Sequence, residues 1–505
     1  MTITNSNTGR DAPFRVIIVG AGVAGLVLAH ALEKASIDFI LLDKGIVAPP
    51  WGTSITIHPH GCRILHQIDC LDTVSALCSP MGLFFQRDQS GKEFLSQGFF
   101  DAIARRTGYT TLTLERRAYL QVLYDKLPDK SKVVEHARVE NIIEEDGIVR
   151  VILGDGTEQV GDLVVGADGV HSKVRELLWK NANEAIPGFI SAVEKRSMRT
   201  TYNALIAFAP MQAGLGKYDM HCVSNDKFSF LILCQPETIF FVAHCKLPDD
   251  KQCRWPNRAR YTQEDMDNLA TKLADYPVSE SLLFGELWRN RTRAHLVSLE
   301  EGVLDHWFFG RTVLAGDSVH KVTPNAAFGG STAMESAVAL ANVIHHAVNL
   351  HPNKKPSDVE MKTALTSYQA SRLARVKEIF NVSWMLTRLQ AYDGWLFYFI
   401  QRWVMPVIGL DFVAKQVAQT CSEAPKLNYV QFAEERGTLG WKEGKDAIKY
   451  QAAANRKKII AWHGPSGAER VFPVMFGGIL LVTSTVLWLS GWNTASIHSA
   501  YLSIM

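Results

Sequence analysis

Residues 14–43 read FRVIIVGAGVAGLVLAHALEKASIDFILLD. Phe14 to Val19 is an apolar, β-branched run, and Gly20-Ala21-Gly22-Val23-Ala24-Gly25 follows it directly. A helical stretch, LVLAHALEKA, leads to a second apolar run, Phe39 to Leu42, which ends in Asp43. Strand, glycine turn, helix, strand and acid in this order predict the βαβ unit of a dinucleotide site. Gly20 suits the tight turn, Gly22 admits a pyrophosphate to the backbone N–H groups, and Gly25 lets the helix pack on the strand. The helix N-terminus adds partial positive charge toward phosphate. Asp43, 18 residues after Gly25, stands where a carboxylate bonds the hydroxyls of an adenosine ribose. The unit by itself leaves NAD and FAD open. Its acid disfavours a 2′-phosphate, so NADPH is not its expected resident.

The surrounding chain has 505 residues, 47% hydrophobic and 21% charged, which is the balance of a globular protein of several domains. Its 53 basic and 51 acidic residues give a net charge of +2. That balance argues against a nucleic-acid binder, which needs a basic excess to neutralise phosphates. The eight cysteines contain no C-x-x-C pair, so reduced thiols and a cytosolic body are expected, with no metal centre. The first ten residues are polar and carry no apolar run for a secretory signal.

Two further motifs extend the pattern. Residues 162–175 read DLVVGADGVHSKVR, a buried-type strand and a sharp turn at Gly166, Asp168 and Gly169 before a helix. Residues 311–342 read RTVLAGDSVHKVTPNAAFGGSTAMESAVALAN. There Thr312 to Ala315 is strand-like, Gly316-Asp317 closes it, Pro324 to Gly330 is a loop, and the helix is expected from Ser331.

Across residues 14 to 430 these three motifs, in this order, resemble the single-component FAD-dependent aromatic hydroxylases. The closer resemblance is to fungal FAD-dependent monooxygenases that epoxidise or hydroxylate meroterpenoids and indole diterpenes. The resemblance implies bound FAD, with NADPH or NADH as a transient co-substrate and O2 as the oxidant. It implies that Asp317 bonds the ribityl chain, and that Gly329 and Gly330 bring N–H groups to the pyrimidine edge of the flavin. Asp168 is implied near the pyrophosphate, and Arg116 in LERRAYLQVL as an FAD contact, with Arg117 the alternative register. The chain departs from the family pattern at Phe328, where a polar residue is usual, at Ser331 in place of an amide, and at Thr56 in place of a glycine. Position 56 is nevertheless expected to touch the cofactor. His320 reads as a core histidine, and no catalytic side chain is assigned.

The expected architecture is α/β: a Rossmann-like FAD-binding domain with an inserted β-sheet substrate domain, C-terminal helices and a transmembrane helix. The FAD-binding domain is assigned to 14–80, 105–197 and 285–380, after a flexible N-terminus at 1–13. The substrate-covering sheet is assigned to 81–104 and 198–284, because TYNALIAFA, FSFLILC and ETIFFVAHC are β-like runs. Arg199, Tyr202 and Tyr218 are the polar residues to inspect there. Residues 381–440 form a helical, aromatic-rich region suited to a membrane interface, and 441–470 a basic stem. From Val471 to Trp492 there are 22 residues without a charge, long enough to cross a bilayer. Arg456, Lys457, Lys458 and Arg470 lie before that segment and predict a catalytic body facing the cytosol, at the endoplasmic reticulum. Such a tethered body suits an apolar small-molecule substrate that partitions into lipid, a prenylated polyketide or diterpene. The competing readings are a flavin-dependent reductase or dehydrogenase of an isoprenoid, and a non-catalytic flavoprotein partner.

Overall fold

The computed structural model describes residues 13–50, 52–350 and 355–442. The segment 471–492, the basic stem beyond residue 442 and residues 1–12 lie outside them.

Arg15–Val19 is the centre of a six-stranded sheet. It pairs in parallel with Asp38–Leu42 on one side and Leu163–Gly166 on the other. Val133–Val134 extends the first edge in parallel, and Thr312–Leu314 and then Phe308–Phe309 extend the second. The three motifs therefore end on adjacent strands, although some 300 residues of chain separate the first from the last. The helix Val23–Lys34 is apolar on nearly every side because it is a middle layer. It is buried between this sheet and the helix Phe328–Asn349. Parallel strands covered on both faces read as continuous apolar runs, as these do.

A second sheet of nine strands carries the inserted domain. Its middle runs Arg293–Val303, Arg199–Pro210, Thr238–Lys246, Phe228–Cys234, Met220–Asn225 and Phe84–Arg87. The three β-like runs of the sequence are all present as antiparallel neighbours. The boundary at 285 needs correction. Arg293–Val303 pairs with Arg199–Pro210 along its length, so this strand belongs to the substrate sheet and not to the nucleotide unit.

The 33-residue helix Asp358–Gln390 begins at a capping box formed by Ser357 and Glu360 and runs to the substrate sheet. Beyond it, Trp395–Phe399, a π-helical turn at Ile400–Val404 and Met405–Ser422 form one broken rod, kinked at Gly409. This rod is long and apolar enough to cross a membrane, yet only 22% of its most apolar stretch is buried.

Candidate functional site

The glycine turn is as tight as its sequence implies. Gly20 has φ +107°, and a Cβ there would sit 2.5 Å from the Ala167 carbonyl oxygen, where the second motif crosses. A Cβ on Gly25 would lie 1.9 Å from the Gly20 carbonyl oxygen, whereas one on Gly22 would meet nothing closer than an Arg116 nitrogen at 3.9 Å. Gly20 and Gly25 are thus demanded by the fold. Among the described residues nothing demands Gly22, which leaves its open side for a ligand. Gly22 caps Val23–Lys34 without a side-chain bond, and the first turn carries no acid. Its N–H groups are therefore presented uncompensated.

Asp43 has a structural duty that the sequence did not reveal. One carboxylate oxygen accepts from the Ala21 N–H at 2.7 Å and the other from the Gly45 N–H at 2.8 Å. A carboxylate has about four acceptor positions, so each oxygen keeps one for a ribose hydroxyl. Arg116 is the residue of its pair that faces the cavity, while Arg117 is exposed on the other side. Among the described residues the Arg116 guanidinium makes no hydrogen bond to protein. Burial lowers its pKa, and the nearby Asp317 and Asp43 oppose that shift.

Asp168 holds a turn. It accepts from the Ser172 hydroxyl at 2.5 Å and from the Lys173 and Val174 N–H groups at 2.7 and 3.1 Å, fixing the start of the helix Lys173–Ala185. Burial pushes its pKa up against those bonds. Arg175 ties the second motif to the third: fully buried, it donates to the Ser318 carbonyl at 2.9 Å and to the Val170 carbonyl at 2.8 Å. Asp317 pairs with Lys321, a partner with no signal in the sequence pattern.

The helix after the third motif begins at Phe328, three residues before the expected Ser331. Ala327, at φ +57°, makes the turn, so Gly329 and Gly330 lie in the first helical turn with no side-chain cap. The three departures are accommodated. Phe328 is buried and stacks on His58 with ring centroids 4.5 Å apart. Ser331 accepts the His58 N–H at 3.1 Å, and the Thr56 hydroxyl bonds that of Thr113 at 3.0 Å. His320 is a core residue bonded to Ser336 at 2.8 Å, and burial lowers its pKa to about 4.

Behind the helix Phe328–Asn349 sits a buried hub absent from the sequence reading. Glu335 accepts from Arg375 at 2.7 and 2.8 Å, pairs with Arg372, and lies 3.2 Å from His60. Burial alone would raise this carboxyl, but Arg375 and Arg372 outweigh it and hold it well below the usual carboxylate range. The hub clamps the glycine-bearing helix to Asp358–Gln390.

One cavity of about 2580 Å³ joins these parts. Gly20, Gly22, Asp43, Thr56, Arg116, Asp168, Asp317, Gly329 and Gly330 line it, and Gly25 does not, being packed against the strand. The same space continues over one face of the substrate sheet, along Ala204, Ile206, Leu231, Leu233 and Val242. Helical residues from Trp384 to Thr420 close it. Of the polar residues inspected, Arg199 lines the cavity; Tyr202 is buried and donates to Asp393 at 2.9 Å, and Tyr218 is exposed. Among the described residues no cluster of His, Cys, Asp or Glu could hold a metal.

An open glycine edge, an arginine without a protein acceptor, two uncapped helix N-termini and spare carboxylate positions form the donor and acceptor set that a flavin dinucleotide requires. The chain's relatives agree. The profile described as "FAD binding domain" matches residues 14–382, and the chain belongs to this family, within it to the fungal FAD-dependent monooxygenases. It is 53% identical to FAD-dependent monooxygenase DEP2 of Alternaria brassicicola over 94% of this chain and 93% of that one. It is 32% identical to FAD-dependent monooxygenase atmM of Aspergillus flavus, over 85% of this chain and 89% of that one. Among solved structures, Klebsiella pneumoniae HpxO complexed with FAD and uric acid shares the fold, with a TM-score of 0.67 at 21% identity. That match covers 82% of this chain and 97% of that one.

Proposed function

We propose that this protein is an NAD(P)H-consuming monooxygenase that inserts one oxygen atom, by epoxidation or hydroxylation, into an apolar prenylated secondary-metabolite intermediate such as a meroterpenoid or indole diterpene. The observation that carries the reading is one cavity that runs from the dinucleotide cradle onto a mainly apolar sheet face. Bound FAD supplies the redox and oxygen chemistry. The chain's residues supply the rest. Gly22, the first turn of Val23–Lys34, Asp43 and Arg116 would hold the dinucleotide, and Asp317 with Lys321 its middle. Gly329 and Gly330 would present helix N–H groups, whose partial positive charge favours electron density at that edge. The sheet and the helical rod exclude water and orient the substrate.

The rod supports a membrane setting. Its inner side lines the cavity with Phe397, Ile400 and Met405, while Trp395, Trp403 and Val407 on the other side are 73%, 58% and 66% exposed. Asp411 accepts twice from Arg106 at 2.9 Å, which ties the rod to the body, so it would rest in the interface and leave the crossing to 471–492. Deleting residues 471–505 should leave a peripheral protein, released from membranes by alkaline carbonate with its flavin retained on mild extraction; a truncated protein that still behaved as integral would remove this assignment. The activity is tested by oxygen and NAD(P)H uptake with a farnesylated phenolic acid or a geranylgeranylated indole. Equal, substrate-dependent uptake supports it; product formed without O2 favours a reductase or dehydrogenase.

A further inference from the structure

The face of the substrate sheet that lines the cavity is not uniformly apolar. Directly paired residues share a face, so the strand registers sort it into rows. One row runs Phe208, Phe240, Leu233, Met220 and Phe84, and the next Ile206, Val242, Leu231, Cys222 and Gln86. The third row runs Ala204, His244, Ser229 and Ser224. The wall is therefore apolar over two rows, apart from Gln86 at the end of the second, which is bonded to Gln401, and turns polar at its third.

His244 is the polar side chain of that row that lines the cavity. It lines the cavity with only 1% of its surface exposed, and among the described residues neither ring nitrogen bonds a protein group. Its Nδ1 and the hydroxyl of Ser229 are wholly enclosed and unpartnered, so Nε2, which is not enclosed, is the ring nitrogen a ligand in the cavity can reach. Burial lowers the pKa of this histidine to about 4, so the ring is neutral at physiological pH and offers one donor and one acceptor. The next polar groups outward are already satisfied: Asp393 accepts from Tyr202 at 2.9 Å and from Lys246 at 2.6 Å. A buried polar group without a partner is costly, and the cost is removed when a ligand supplies the bond. The same end of the cavity is bordered by Gln390, which accepts from Asn325 of the Pro324–Gly330 segment at 2.7 Å.

We infer that His244 is a positioning residue that hydrogen-bonds a hydroxyl at the polar end of an otherwise apolar substrate, whose hydrocarbon body lies along the Leu231 and Leu233 rows toward Phe84. The substrate class is then a one-ended amphiphile, an unmethylated phenol or enol bearing a prenyl chain. This inference rests on the monooxygenase reading for its biological meaning, but binding alone tests it.

The test is a tryptophan-fluorescence titration of the flavin-loaded protein with farnesylphenol and with farnesylbenzene, which lacks the oxygen. Wild type should bind the phenol at least about tenfold more tightly, the scale of one buried hydrogen bond. His244→Phe should bind the two probes equally, with flavin content and farnesylbenzene affinity unchanged. His244→Gln, which keeps a donor and an acceptor, should restore part of the preference. Equal binding of the two probes by wild type would overturn the inference, as would a preference that survives in His244→Phe. If the preference behaves as expected but no probe takes up oxygen during turnover, the monooxygenase reading fails while the assignment of His244 stands.

Discussion

Gly22 and Gly25 stand three residues apart in one motif, and alanine at each should fail in a different way. A Cβ on Gly25 begins 1.9 Å from the Gly20 carbonyl oxygen, against a floor of 3.0 Å for Cβ contacts. The helix must therefore withdraw from the strand end by about 1.1 Å, the difference between those two distances. Both contacting groups are backbone, so no side chain can turn aside. Overpacking of this kind costs about 1–3 kcal/mol. Gly22→Ala meets only the end of Arg116 at 3.9 Å, and its φ of −84° suits any residue. Folding of the flavin-free protein should then be unchanged or gain up to about 1 kcal/mol from the stiffer unfolded chain. The new methyl, however, occupies the approach reserved for the pyrophosphate. An intrusion of about 1–3 kcal/mol there weakens flavin binding by roughly 10- to 100-fold. Urea unfolding of flavin-stripped protein measures the first quantity, and titration of that protein with FAD measures the second. Gly25→Ala should lose stability and flavin together; Gly22→Ala should lose flavin alone. Full-affinity flavin binding by Gly22→Ala would show that no ligand approaches that glycine, since no described protein group requires it.

Three more perturbations have defined outcomes. Asp317→Ala should lower flavin retention sharply, read as visible absorbance per protein after gel filtration; a fully yellow variant would detach Asp317 from the cofactor. Glu335→Gln leaves Arg372 and Arg375 buried beside a neutral group and should cost about 3–5 kcal/mol in urea unfolding, because breaking one side of a buried pair strands the other. Acid should destabilise the fold well above the carboxylate range. Burial lowers His60 and His221 to about 3 and His244 and His320 to about 4, each from an ordinary 6.5. Below about pH 6.5 the unfolded chain takes up protons that these folded histidines refuse, so stability falls as pH falls. Each group removes about 2 kcal/mol by about pH 5. A free energy of unfolding unchanged between pH 7 and about pH 5 would contradict their neutrality.

The glycine turn, its two strands and the acid were legible because they are local: each depends on neighbours within one βαβ unit. The residues that line the cavity were legible only through the joint order of three motifs, since Asp317 or Arg116 alone is an ordinary charge. What escaped depends on distant pairing. Glu335 meets arginines on another helix, and Arg175 reaches the Ser318 carbonyl in a motif 143 residues away. No periodicity encodes such contacts. The start of Phe328–Asn349 was missed because Gly329 and Gly330 read as loop, while Ala327 makes the turn with a positive φ that alanine rarely adopts. The strand Arg293–Val303 was misassigned since its sheet partner lies some 90 residues earlier. His244 gave no signal in ETIFFVAHC, because only the register shows it facing the cavity in a row of small polar residues.

The central claim is that this cavity brings oxygen chemistry to an apolar substrate. Turnover of a farnesylated phenolic acid or geranylgeranylated indole under ¹⁸O₂, with mass analysis of the product, tests it most directly. One oxygen atom from O2 should enter the product for each NAD(P)H consumed. A product that takes its oxygen from water, or that forms equally well without O2, would contradict it.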